Sequence, residues 1–258
     1  MNDQSTPEID ESKAPLIEHL IELRQRLLWA VAALVVAFGF SLFFADDIFA
    51  ILVKPLTAAF PAGEGTLIYT KLYEAFFVEI KVAMFAAFFL AFPIISNQLW
   101  AFVAPGLYAQ EKRAFLPFLI ATPVLFMAGA ALAYFIVMPT AFRFFIGFEG
   151  EVAGLSQEAL PAMGDYLSLV MQFILAFGVC FQLPVLLLLL NRAGLVTRAQ
   201  LKGLRRYMVV AAFALAAILT PPDVISQLML GIPLILLYEV SLAIMWFTDR
   251  RKIEIEEA

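Results

Sequence analysis

The stretch YLSLVMQFILAFGVCFQLPVLLLLLN, residues 166–191, holds no Asp, Glu, Lys, Arg or His. As a helix it reaches about 39 Å at about 1.5 Å per residue, past a hydrocarbon core about 30 Å thick. The run LLLLL at 186–190 lacks the period-2 alternation of a membrane barrel strand, so the reading is a helix crossing lipid. Working outward, uncharged runs recur at 27–45, 82–107, 114–142, 207–222 and 224–238, with Asp223 between the last two and Glu239 closing the second. They predict six spans, at about 27–45, 76–98, 114–138, 166–191, 207–220 and 224–247. The fold expected is all-α and polytopic: a cytoplasmic tail over 1–26, a six-helix membrane domain over 27–248 and a second tail over 249–258.

Composition agrees. Apolar residues make up 63% of the 258, against roughly 45–50% in soluble domains, and a soluble globule of this length lacks the interior to hide them. One Cys (Cys180) and one His (His19) exclude a disulfide scaffold and any zinc or iron–sulfur site built from those residues, so no metal or cofactor is expected. A net charge of −5 argues against a nucleic-acid partner.

Orientation is read from Lys and Arg. Six spans put both termini on one side, and thirteen of the seventeen Lys and Arg residues fall there, so both termini are expected in the cytoplasm. Two long loops, about 46–75 and 140–165, face the other way. The first 26 residues are polar and acidic-rich, unlike a cleavable signal peptide, and the first span is expected to stay as an anchor. Pro93, Pro117, Pro123, Pro184 and Pro233 sit inside spans; each removes a backbone donor, and together they favour a kinked, curved wall. The fifth span, 16 uncharged residues at 207–222, reaches only about 24 Å, so either the bilayer beside spans five and six is thinned or those helices sit in a partly wet surrounding.

Few residues here carry chemistry. PLIEHLIELRQRLLW, from Pro15 to Trp29, has an apolar stripe at helical spacing and reads as an amphipathic helix entering the first span. Glu22 shares a face with Glu18 and with Arg26: either an intrahelical ion pair or a carboxylate offered to an external cation. QLWAFVAPGLYAQEKR, 98–113, is a turn at the membrane interface with Trp100, Phe102 and Tyr108 around Pro105. Its single acid, Glu111, is either solvated or the centre of an anionic site with aromatic walls suited to a guanidinium. Within the membrane Gln182 and Glu239 stand out, with Ser226 and Gln227 near Thr220. An intramembrane carboxylate is functional by default, or else a hydrogen-bond partner for a neighbouring helix. There is no phosphate-binding Gly-rich loop, no HExxH and no Ser–His–Asp set, so an enzyme is not expected.

Four segments in order, HLIELRQRL at 19–27, QLWAFVAPGLYAQEKR at 98–113, AYFIVMP at 133–139 and LTPPDVISQ at 219–227, resemble the TatC family of the twin-arginine protein translocase. The resemblance runs from His19 to Glu239. It implies six helices in a cupped arrangement and a receptor for S-R-R-x-F-L-K signal peptides of folded cargo, driven by the proton motive force in a bacterial inner membrane. Its recognition carboxylates fall here on Glu22 and Glu111, with Arg24 and Phe102 beside them in the signal-binding role. Pro55 and Asp223 match further positions of functional weight, and Glu239 joins them as a structural or functional position. The resemblance also implies single-span partners of the TatA and TatB types, contacting spans five and six near Thr220 and Gln227, and a homo-oligomer within a larger complex. Many relatives carry Glu in the fourth span where this chain has Gln182; a hydrogen bond to a partner helix survives that change. The alternative is a proton-coupled secondary transporter of a small solute, which needs a midplane site, usually between two related halves; no repeat is seen here. A third reading is an intramembrane scaffold without cargo.

Overall fold

The computed structural model describes residues 13–60, 65–107 and 112–256, with side chains for 19–60, 65–102, 117–151 and 153–248. In chain order these form α1 (Lys13–Phe43), α2 (Ala45–Thr57), α3 (Glu74–Leu107), α4 (Lys112–Leu132), a π-helical turn (Ala133–Val137) and α5 (Met138–Ile146). A hairpin of β1 (Gly150–Val152) and β2 (Leu155–Gln157) follows, then α6 (Met163–Cys180), α7 (Leu183–Arg192), α8 (Arg198–Gly203), α9 (Arg205–Leu219) and α10 (Val224–Glu256). The protein is a helical membrane protein. Among the described residues, five segments are long and apolar enough to cross a bilayer: His19–Phe43, Glu74–Phe102, Pro117–Ile146, Met163–Arg192 and Val224–Thr248. α9, with 15 residues, is the short sixth at about 22 Å.

Two compact units divide the chain, residues 1–44 with 83–119 and residues 45–82 with 120–258. In the first, α1 leaves Leu27, Trp29, Val35, Val36 and Phe40 exposed. A run of that kind is stable only where the solvent is lipid. On α3, Trp100 is buried and faces Phe118 with ring centroids 6.2 Å apart.

The second unit is built around α6, whose Leu167, Val170, Phe173 and Phe177 are wholly buried at helical spacing. α4 crosses it closely. A Cβ on Gly129 would lie 2.4 Å from the Phe177 carbonyl oxygen, and one on Gly178 would lie 2.6 Å from the Phe126 ring. α9 and α10 pack alongside each other, with Gly231 opposite the Phe213 ring.

One break expected at a proline and two departures from the sequence reading have local causes. The run 166–191 is two helices, because Pro184 supplies no N–H for the Cys180 carbonyl; the chain closes α6 with Phe181 N–H on Phe177 O and Gln182 N–H on Val179 O. The region 46–75 holds a helix, α2, opened by Asp46 and Asp47 in its first turn, where acids favour the dipole. The 140–165 region keeps α5 as far as Ile146 and then forms the hairpin, whose turn places Ala153 at φ 55° and Gly154 at φ 82°. Positive φ at both turn residues matches the twist of a two-residue hairpin.

Pro55 shows how the unit is tied together. It is buried inside α2, and lacking an N–H it leaves the Ile51 carbonyl without its helical donor. Tyr134, in the π-helical turn, donates its hydroxyl to that oxygen at 2.7 Å, and Tyr166 of α6 donates to the adjoining Leu52 carbonyl at 2.7 Å. Nearby, Glu74 accepts the Thr70 and Lys71 N–H groups on one oxygen and the Gly164 N–H on the other. Ile68 bridges Ala162, so α3 and α6 begin from one stitched junction.

Candidate functional site

α1 presents His19, Glu22 and Arg26 on one face, at spacings of three and four. Arg26 donates Nε and Nη2 to the same Glu22 oxygen, Oε1, at 2.9 and 2.5 Å. The other oxygen, Oε2, is 3.8 Å from His19 Nδ1. The His19 ring lies flat on Phe102 of α3, centroids 4.3 Å apart and planes 16° apart. Two residues expected at the site from sequence, Glu22 and Phe102, are thereby joined through a third, His19, that sequence reasoning left out. Its signal was present: His19 is three residues before Glu22 on an amphipathic helix. Arg24 sits on another face of α1, exposed, with no carboxylate partner among the described residues. Glu111 lies outside the described residues.

The site can hold cations. Glu22 is one-third exposed, and Arg26 occupies one of its oxygens. Oε2 retains capacity to accept a guanidinium N–H, and the stacked His19–Phe102 pair supplies an aromatic wall.

A second group of expected residues gathers where α9 meets α10. Thr220 is buried and donates its hydroxyl to the Ala216 carbonyl, closing α9. Gln172 of α6 donates to the carbonyl of Leu219, the last residue of α9, at 3.1 Å. Gln227 reaches back from α10 to the Phe213 carbonyl at 3.1 Å. Asp223 is the N-cap of α10: its Oδ1 accepts the Ser226 N–H at 2.7 Å. Its Oδ2 and the Ser226 hydroxyl are buried without a partner among the described residues. Asp223→Ala is expected to destabilise the start of α10 by about 1 kcal/mol, and Asp223→Asn to keep the cap. Hydrogen exchange over 224–228 checks this; equal loss in both variants would refute the cap.

Gln182, at the break between α6 and α7, donates Nε2 to the Thr122 carbonyl of α4 at 2.9 Å, and its Oε1 is buried without a partner among the described residues. Glu239 pairs with Arg205, Nη2 to Oε2 at 2.6 Å. Nothing local in the sequence marks that pair, since the partners are 34 residues apart. It sits where α9 begins.

The family described as Sec-independent protein translocase protein (TatC) matches residues 18–233. A Sec-independent protein translocase protein TatC of Magnetococcus marinus is 50% identical over 248 residues, 96% of this chain and 90% of that protein. One of Aquifex aeolicus is 41% identical over 244 residues, 95% of this chain and 100% of that protein. A crystal structure described as the twin arginine translocase receptor TatC aligns with a TM-score of 0.74 at 40% identity, covering 89% of this chain and 98% of the other. A second, in the detergent DDM, gives 0.76 at 39% identity, over 88% and 98%.

Proposed function

This chain belongs to the TatC family, a non-enzymatic component of Sec-independent protein translocation, and from that membership we propose that it is the receptor for twin-arginine signal peptides of folded cargo. Glu22 and Glu111 are the acceptors for the paired guanidinium groups, with Phe102 as an aromatic wall and Arg24 at the rim. The observation that carries the reading is the half-occupied Glu22 carboxylate beside the stacked His19–Phe102 pair. Arginine suits such a site because its planar fork bonds carboxylates in a geometry that lysine lacks.

In this reading residues 1–26 form the cytoplasmic receptor tail, 27–248 the membrane domain and 249–258 a second cytoplasmic tail, in a bacterial inner membrane. TatA- and TatB-type single-span subunits dock along α9 and α10 near Gln227 and Thr220, with Gln182 offering the oxygen that has no partner among the described residues, in a complex holding further copies of this chain. The proton motive force supplies the driving energy. A small-solute transporter is disfavoured by membership in a protein-translocating family.

The test compares a fluorescent signal peptide bearing Arg-Arg with its Lys-Lys counterpart on the full chain in nanodiscs. Preference for Arg-Arg is the expected result, and equal binding would refute the receptor reading. Arg26 supplies an internal control. Its partly exposed i,i+4 pair with Glu22 is worth about 0.3–0.5 kcal/mol, so Arg26→Gln is expected to tighten Arg-Arg peptide binding about twofold by freeing the carboxylate. Weakened binding in that variant would remove Glu22 from the site.

A further inference from the structure

We propose that the segment 192–207, running from the end of α7 through α8 into the first turn of α9, is a binding surface for anionic phospholipid headgroups, independent of the signal-peptide site. The segment carries Arg192, Arg198, Lys202, Arg205 and Arg206 and no Asp or Glu. It is also ordered. Gly194 turns the chain at φ 71°, Asn191 donates to the Val196 carbonyl at 2.9 Å, and Thr197 and Gln200 form a reciprocal capping box at the start of α8. Leu201 is buried against α7 and α10, and its carbonyl accepts the Tyr238 hydroxyl at 2.6 Å. Charge of one sign is therefore held on a fixed scaffold.

The cations divide by what they touch. Arg205 is engaged by Glu239, and Arg198 lies over the Trp246 ring, 5.9 Å from its centroid. Lys202 and Arg206 are exposed and have no carboxylate partner among the described residues. The Arg206 guanidinium rests 4.8 Å above the Tyr207 ring and donates to its hydroxyl at 3.0 Å, which leaves further N–H groups to offer outward.

The setting selects lipid. The connector joins the spanning segment Met163–Arg192 to α9, so it lies at a membrane surface. Exposed Leu204 and Tyr207 alternate with the two available cations, placing apolar groups toward the acyl boundary and charge toward the phosphates. A cationic signal peptide is repelled by this surface, and a phosphodiester takes both an arginine fork and a lysine point charge.

Each cation near an anionic lipid surface contributes about fivefold in affinity, so the pair contributes about 30-fold. The test titrates the full chain in neutral-detergent micelles with fluorescent phosphatidylglycerol and with fluorescent phosphatidylcholine. The wild type is expected to prefer phosphatidylglycerol, with a preference that falls as NaCl rises. Lys202→Gln with Arg206→Gln is expected to lose about 30-fold at unchanged thermal unfolding, and Lys202→Arg with Arg206→Lys to retain binding. If the double Gln variant unfolds, the charge-preserving pair and the wild-type salt dependence decide. Four results would overturn the proposal: no lipid preference in the wild type, full affinity in a folded double Gln variant, equal competition by soluble glycerol phosphate, or equal competition by a Glu-rich peptide, which would assign the surface to an acidic protein segment.

Discussion

Glu111→Ala is expected to weaken binding of a twin-arginine signal peptide by about 2–5 kcal/mol, roughly 30- to 5,000-fold. Glu22→Ala is expected to cost much less. The difference follows from solvent and from existing partners. Glu22 is one-third exposed and already shares an oxygen with Arg26, so an incoming guanidinium exchanges one ion pair for another in a screened setting, worth about 0.2–1 kcal/mol. Glu111 is the only acid in QLWAFVAPGLYAQEKR, a segment with Trp100, Phe102 and Tyr108 around it. In the proposed site the peptide's arginine pairs with this carboxylate beside aromatic groups, and removing the acid leaves that arginine unpaired, which is where the larger loss originates. Anisotropy titration of the full chain in nanodiscs with a labelled Arg-Arg peptide gives both numbers. Wild-type affinity in Glu111→Ala would sink the assignment, and a Glu22 effect larger than the Glu111 effect would reverse it. Glu111→Asp separates charge from geometry: a shorter carboxylate that restores only part of the affinity indicates a bidentate grip.

What was legible in the sequence was whatever leaves a periodic or compositional trace. Uncharged runs of lipid-crossing length were visible because lipid tolerates few charges, and the Glu22–Arg26 pairing was visible because helical neighbours four apart share a face. Contacts made by the fold were not. Arg205 and Glu239 meet only because α9 and α10 pack side by side. Pro55 was marked only by the family resemblance, and its structural consequence needed two distant tyrosines to appear: Tyr134 answers the carbonyl that the proline frees. The hairpin at 150–157 was hidden for a different reason. Its strands are three residues each, too short for alternation to rise above a loop.

Thr220 and Gln227 illustrate a related limit. Polar side chains near the ends of two apolar runs could either face a partner or hold their own helices. Both hydrogen-bond to backbone of α9, and Thr220 is buried. Of the polar groups within the spans, Ser41, Gln182 and Ser226 each keep a buried oxygen unpaired among the described residues. Gln227 is half-buried and Thr220 closes α9 from inside.

Gly129→Ala provides the sharpest test of the membrane core, because two effects oppose each other in sign. In an open helical site the substitution stabilises by about 0.8–1 kcal/mol through helix propensity. Here the new methyl group would stand 2.4 Å from the Phe177 carbonyl oxygen and 2.8 Å from its carbon. Those are backbone atoms of α6, which cannot rotate aside, so α4 and α6 must separate. Overpacking of this kind costs about 1–3 kcal/mol, occasionally more, and the separation also loosens the packing on which helix association in lipid depends. The net expectation is destabilisation of about 1–2 kcal/mol for Ala and a larger loss for Val. Gly178→Ala meets the Phe126 ring rather than backbone, so a small ring rotation relieves part of the clash and the loss should be smaller. Thermal unfolding of the purified chain in one detergent ranks the three. A stabilised Gly129→Ala would mean that α4 and α6 are farther apart than described, and the crossing that places Gln182 against Thr122 would fall with it.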